Sequence, residues 1–266
     1  MASAPDAFTS GREQVLCLGD SITEQGWGTK GGVGWVAILA NAYRRRADVT
    51  NRGYGGYTTR SLSPLALALL AAPQRYLLVT VFLGANDMNA QPEQHVPLAE
   101  YGARLQRLLE AAAARARCVL CLGPGPVDDR RWPHRSNAAA AAYCAEARAA
   151  CARARAAAPP GAAILFASLL GAGEGGGALP EGSALGACRD AVPWLDALSD
   201  GLHLSPAGNE RLAEVVLRAV AAGCPEAAPE ALAWDFPPWG EVPVDSGDAA
   251  AAAFTPAALA AFRATR

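Results

Sequence analysis

The sequence predicts a three-layer α/β/α sandwich around a mostly parallel sheet of five strands. Three observations carry that prediction. Short apolar runs alternate with helix-period stretches between residues 13 and 222. One run, residues 76–83 (YLLVTVFL), is apolar almost throughout, as a strand buried on both faces must be. Several runs also end in Gly, Asn or Asp, residue types that let a strand turn into a helix.

Each element follows from its own residues. Residues 15–18 (VLCL) make a short buried strand. Residues 34–46 (GWVAILANAYRRR) read as a helix, with Trp35, Ile38, Leu39 and Ala42 on one face. Basic residues sit at its end, where the helix dipole favours them. Residues 48–51 are a second strand. Residues 59–72 are a second helix, with Pro64 early enough for a first turn to tolerate it. Residues 76–83 form the central strand. Residues 97–115 form a helix with Leu98, Tyr101, Leu105, Leu108 and Leu109 facing inward. Residues 117–122 are strand four, and residues 136–157 a long Ala/Arg helix capped by Ser136. Residues 162–166 are strand five. The last helix, 205–222, carries Pro206 at its first position. Strands alternating with helices in this way predict a doubly wound, flavodoxin-like sheet of order 2-1-3-4-5.

Residues 13–225 therefore read as one domain. A leader, 1–12, precedes it and is expected to be flexible. Residues 171–186 are a Gly-rich insertion, expected to be a mobile surface loop. The tail, 226–266, opens on Trp234-Asp-Phe-Pro-Pro-Trp239, crosses an Asp/Gly linker and ends in an Ala-rich helix, 255–266. It is expected either to pack on the domain or to be partly disordered.

Composition narrows the function classes. The 266 residues suffice for one α/β domain with a sizeable core. Hydrophobic residues make up 52%, but Ala dominates them, so the core rests on Leu, Val and Ile strands and a few aromatics. A net charge of −2 and a pI near 6.0 give no basic excess for nucleic acid or an anionic membrane. No uninterrupted apolar run reaches the roughly 18 residues of a membrane span, and residues 1–14 lack a signal-peptide pattern. The 7 cysteines, mostly in apolar stretches, suit buried thiols in a reducing, cytoplasmic setting. Cys118-Val-Leu-Cys121 has C-x-x-C spacing. Positions i and i+3 of a strand face opposite sides, however, and no second ligand pair lies nearby, so no metal site is expected.

Acyl-transfer chemistry supplies the functional candidates. An alcohol is a poor nucleophile at neutral pH and needs a neighbouring base. Ser21, in Gly19-Asp-Ser21 directly after the first strand, offers a hydroxyl and an outward N–H; alone, it also reads as a helix cap. His203 follows Asp200 by three residues in a tight turn. That spacing lets a carboxylate hold ring Nδ1–H and leaves Nε2 free to accept a proton, although a plain surface Asp–His contact has the same spacing. Asn86, in Gly84-Ala-Asn-Asp87, can aim an amide at a developing oxyanion or simply form a turn. Gly56, in Asn51-Arg-Gly-Tyr-Gly-Gly56, can present its N–H because Gly allows close approach and positive φ. His95 and His134 have no acid at such spacing and read as surface residues.

Taken together, in order and spacing, four stretches resemble the blocks of the SGNH/GDSL hydrolases: Gly19-Asp-Ser-Ile-Thr23, Asn51-Arg-Gly-Tyr-Gly-Gly56, Gly84-Ala-Asn-Asp-Met88 and Asp200-Gly-Leu-His-Leu-Ser-Pro206. Within that family the chain looks closest to the isoamyl acetate-hydrolysing esterase-like branch, through Asn51-Arg-Gly-Tyr54 and the run from Ser199 to Asn209. The resemblance spans residues 13–225 and continues towards Trp239. It implies Ser21 as nucleophile, His203 as base and Asp200 as its orienter. Ser21 N–H, Gly56 N–H and the Asn86 side chain would form the oxyanion hole. It further implies a small-molecule ester as the partner and no metal or organic cofactor. The motif reads GDSI rather than GDSL, a change expected to affect packing only. Few large apolar residues in 171–186 favour short-chain esters over long lipids.

Two other classes compete. Gly26-Trp-Gly28-Thr-Lys-Gly31 matches G-x-G-x-x-G with Asp48 downstream, a dinucleotide-binding spacing. Its first glycine comes late after the strand, and Trp27 and Lys30 are bulky, so it reads better as a flexible loop beside Ser21. A non-catalytic α/β binding module is the other alternative; nothing in folding requires all four roles together. The sequence does not indicate an oligomeric state.

Overall fold

The computed structural model describes residues 12–29, 31–170, 195–242 and 255–264. The leader before Arg12, the 171–186 insertion and the 243–254 part of the tail lie outside the described residues.

The strands are β1 (Glu13–Gly19), β2 (Ala47–Gly53), β3 (Tyr76–Phe82), β4 (Ala116–Gly123) and β5 (Ala163–Ser168). They form one five-stranded sheet in the order the sequence predicts, β2-β1-β3-β4-β5, and its pairings are parallel throughout. The register is level at the carboxyl ends. Gly19 pairs with both Gly53 and Phe82, and Phe82 with Leu122. The loops after β1, β2 and β3 therefore open side by side. β1 and β3 flank the point where strand order reverses, where open α/β sheets form a crevice.

The helices are α1 (Ser21–Glu24), α2 (Trp35–Ala42), α3 (Thr59–Ala71), α4 (Leu98–Ala113), α5 (Asn137–Ala156), α6 (Pro206–Gly223) and α7 (Pro256–Ala264). α4 packs against α3 and α5, and α2 against α6, giving a helical layer on each face of the sheet. The α5 face towards α4 and the sheet is built from Ala140, Tyr143, Cys144, Ala147, Ala150, Cys151 and Ala154. Small side chains there let the helices approach closely. Cys118 neighbours Cys224 on one side of β4 and Cys121 neighbours Cys151 on the other, so the two thiols face opposite layers.

Some expectations need correction. Leu98 is exposed, while the other four apolar residues named in that helix are buried. Pro64 is the sixth residue of α3, past the first turn; Thr58 and Ser61 form a capping box that starts the helix. α2 ends at Ala42, short of the basic run. Tyr43 is buried, its hydroxyl donating to Ala227 O at 2.7 Å, and Arg45 turns the chain at φ 62°. Those basic residues tie down the tail instead. Arg45 donates to Phe236 O and Pro237 O, Arg46 donates to Leu232 O, and Asp235 N–H donates to Arg45 O.

Candidate active site

The rim begins where β1 stops. Asp20 caps α1, its carboxylate accepting the Ile22 N–H at 2.9 Å. Ser21 is thus the first helical residue, and its N–H has no acceptor among the described residues. Ile22 is buried, and its carbonyl accepts Trp35 Nε1–H, so the residue that departs from the GDSL spelling only packs.

β2 delivers the second loop. Asn51 Nδ2 donates to Thr23 O at 2.6 Å and its Oδ1 accepts Gly53 N–H, tying the loop to α1. Gly55 N–H donates to Glu24. Gly56 has φ 76°, a left-handed backbone that any Cβ would strain. Its N–H has no acceptor among the described residues, while its carbonyl accepts from Gln94 Nε2 at 3.0 Å.

β3 delivers Asn86, 4% exposed. Its Nδ2 donates to Tyr57 O at 3.0 Å, and its Oδ1 accepts from Arg135 Nη2 at 3.0 Å and Gln94 Nε2 at 3.4 Å. Two donors on Oδ1 fix which way the amide points. One N–H of Nδ2 goes to Tyr57 and the other is left for a ligand.

Asp200 and His203 arrive from the far end of the chain, just ahead of α6. Asp200 Oδ1 accepts the N–H groups of Leu202 and His203 at 3.0 and 2.8 Å, which folds the turn locally. Asp200 Oδ2 lies 2.7 Å from His203 Nδ1, and His203 Nε2 lies 2.8 Å from Ser21 Oγ. A carboxylate beside Nδ1 places the ring proton there, so Nε2 accepts from the serine hydroxyl. Burial pushes the Asp200 carboxyl up, but its hydrogen bonds from His203 and Leu202 outweigh that and leave it below the usual carboxylate range. Gly201 adopts φ 93°, and its carbonyl accepts Asp128 N–H.

Two buried carboxyls lie behind these loops. Burial pushes Asp20 up to about 7, against the Ile22 hydrogen bond and with repulsion from Asp87 adding to it. Burial pushes Asp87 up to about 6, opposed by hydrogen bonds from Thr59 N–H and hydroxyl; its Oδ2 has no hydrogen-bond partner among the described residues.

The structure thus brings Ser21, Gly56, Asn86, Asp200 and His203 to one rim. His134 is exposed, and His95 is half-buried against Asn89 O; neither contacts Ser21. In the β4–α5 loop the sequence singles out His134 alone, as a surface residue. Trp132 Nε1 donates to Asp200 O at 3.1 Å, and Arg135 is buried. One signal was available: Arg135 immediately precedes the Ser136 cap of α5, at the carboxyl end of β4, so its side chain starts at the rim.

The dinucleotide alternative is overturned. Asp20 starts α1 directly after β1, and the glycines come later, Gly26 buried and Gly28–Thr29 paired antiparallel with Gly32–Val33 in a hairpin. The stretch read as a flexible loop is this hairpin with its preceding turn. The first N–H of α2 donates to Asn209 Oδ1 and is not offered to a phosphate.

The chain is similar to known proteins in sequence and in fold. The profile of the GDSL-like lipase/acylhydrolase family matches residues 17–211. An isoamyl acetate-hydrolyzing esterase 1 homolog of Rattus norvegicus is 33% identical over 75% of this chain and 78% of its own. The isoamyl acetate-hydrolyzing esterase of Saccharomyces cerevisiae is 28% identical over 88% and 97% respectively. Among solved structures, an acetylxylan esterase of Geobacillus stearothermophilus superposes with a TM-score of 0.56 at 22% identity, over 78% of this chain and 94% of its own. That likeness speaks to the fold. Fold and sequence together define an ester hydrolase of the SGNH class. The chain belongs to the GDSL-like lipase/acylhydrolase family. Among the described residues, no helix is long and apolar enough to cross a membrane.

Proposed function

We propose that this chain hydrolyses small carboxylic esters, acetyl-type esters above all, through a covalent acyl-enzyme on Ser21. The observation that carries the proposal is the unbroken chain from Ser21 Oγ through His203 to Asp200, with contacts of 2.8 and 2.7 Å.

His203 Nε2 takes the hydroxyl proton as Ser21 Oγ bonds to the ester carbonyl carbon. The carbonyl oxygen becomes an oxyanion, held by the N–H groups of Ser21 and Gly56 and by the second N–H of Asn86 Nδ2. Collapse breaks the bond to the alcohol oxygen, which leaves with the proton from His203. Water then repeats the sequence on the acyl-enzyme, releasing the acid and restoring Ser21. Asp200 keeps the ring in the required tautomer throughout.

The acetyl preference draws on relatives named for isoamyl acetate and for acetylxylan. A cytoplasmic setting belongs to the same proposal; the described cysteines are all buried and free. The test is a series of p-nitrophenyl esters of increasing acyl length, with a fluorophosphonate probe. Turnover highest for acetyl and covalent labelling at Ser21 are expected. Folded protein that neither turns over esters nor takes the label would instead be a binding module.

A further inference from the structure

Asn86 does not set its own direction. Arg135 Nη2 and Gln94 Nε2 hold its side-chain oxygen. Arg135 is 7% exposed. Its Nε donates to Ala85 O at 2.8 Å, and its Nη2 also reaches Gln94 Oε1 at 3.2 Å. The guanidinium lies 5.0 Å from the centre of the Trp132 ring, whose indole N–H holds the Asp200 carbonyl. Its hydrogen-bond acceptors are the neutral oxygens of Ala85, Asn86 and Gln94, and its charge also attracts the buried Asp20. Burial works against this cation and the attraction of Asp20 supports it. At Asn86 the charge also polarises the amide: a cation on Oδ1 makes the N–H of Nδ2 a stronger donor. The same guanidinium stacks on the residue that fixes the Asp200–His203 turn, so one side chain spans both halves of the site.

We propose that Arg135, together with Gln94, is the positioning element for Asn86. The two aim the amide at the ester oxygen. This rests on the reading of Asn86 as an oxyanion donor.

The test is a double-mutant cycle. kcat and KM for p-nitrophenyl acetate are measured for Arg135→Lys, Gln94→Leu, Asn86→Ala and each of the first two combined with Asn86→Ala, alongside melting temperatures. Asn86→Ala is expected to lower kcat about 10²–10³-fold. Arg135→Lys is expected to lower it about tenfold with little change in KM, because the donor stays but is misaimed. Beside Asn86→Ala, neither Arg135→Lys nor Gln94→Leu should lower kcat further. Equal losses in both backgrounds, or no loss for Arg135→Lys, overturn the inference while leaving Asn86 its role. Wild-type kcat in Asn86→Ala sinks the oxyanion reading, and this inference with it. Should Arg135→Lys not fold, Gln94→Leu at its half-buried position decides by the same cycle. A loss that vanishes beside Asn86→Ala supports the inference; an additive loss, or none, overturns it.

Discussion

The serine side and the histidine side of the rim are built by different means. Ser21, Gly56 and Asn86 sit at the ends of the three adjacent strands β1, β2 and β3. Their neighbours Asp20 and Asp87 are 1% and 0% exposed, and Asn86 is 4% exposed. His203 sits on a turn whose shape comes from Asp200's own hydrogen bonds and from the β4–α5 loop, and the Asp200 side chain is 46% exposed. The contrast assigns the halves different vulnerabilities. Changes at the buried residues of the serine side, Asp20, Asn86 and Asp87, disturb core packing along with chemistry. Changes on the histidine side disturb chemistry and cost less stability than changes at those buried residues.

Ser21→Ala should have the largest effect. Turnover of p-nitrophenyl acetate is expected to fall about 10⁴-fold or more. Among the described residues the hydroxyl contacts His203, so melting temperature should barely move; a substantial residual rate would remove Ser21 from the chemistry. Asn86→Ala comes next, with kcat down about 10²–10³-fold. It should also cost about 1–3 kcal/mol of stability, because Arg135 and the Tyr57 carbonyl lose a buried partner. Denaturant titration reads that cost. Gly201→Ala should be milder in both respects. A Cβ there meets Asp128 Cβ at 3.0 Å and forces an L-residue to φ 93°, a strain on the order of 1–2 kcal/mol. The turn should shift and lower kcat about tenfold. If Gly201→Ala proves more destabilising than Asn86→Ala, the two halves do not differ as argued.

Which half could be read from sequence follows from the same contrast. Strand order, the two turn motifs and the Asp200–His203 spacing are local patterns, and local patterns survive in a linear text. Ser136 as cap and Pro206 at a helix start were legible for that reason. The early end of α2 was not, because Tyr43 and Arg45 are held by residues 227–237, far away in sequence. Arg135 and Trp132 were hidden among Asp, Arg and Pro, a composition that describes surface loops. Whether such an arginine is buried is decided by the oxygens of Ala85, Asn86 and Gln94, which only the fold brings to it.

The smallest expected change in turnover, and the sharpest view of the serine side, comes from Asp20→Asn. The variant keeps an oxygen to accept the Ile22 N–H and removes the titrating group. In the folded chain burial pushes Asp20 up to about 7 from an ordinary 3.8. The folded state therefore binds this proton more tightly than the unfolded one. The resulting stability is fully present below the unfolded value and is lost as pH rises through the folded value. Wild type should lose stability between about pH 4 and pH 7, on the order of a few kcal/mol, part of it through Asp87, which burial pushes up to about 6. Asp20→Asn should be flatter across that window, its advantage over wild type growing with pH. Melting curves at several pH values in one ionic strength measure the difference directly. Parallel curves would mean that Asp20 ionises in the fold as it does in water, and the serine side would then be no drier than the histidine turn.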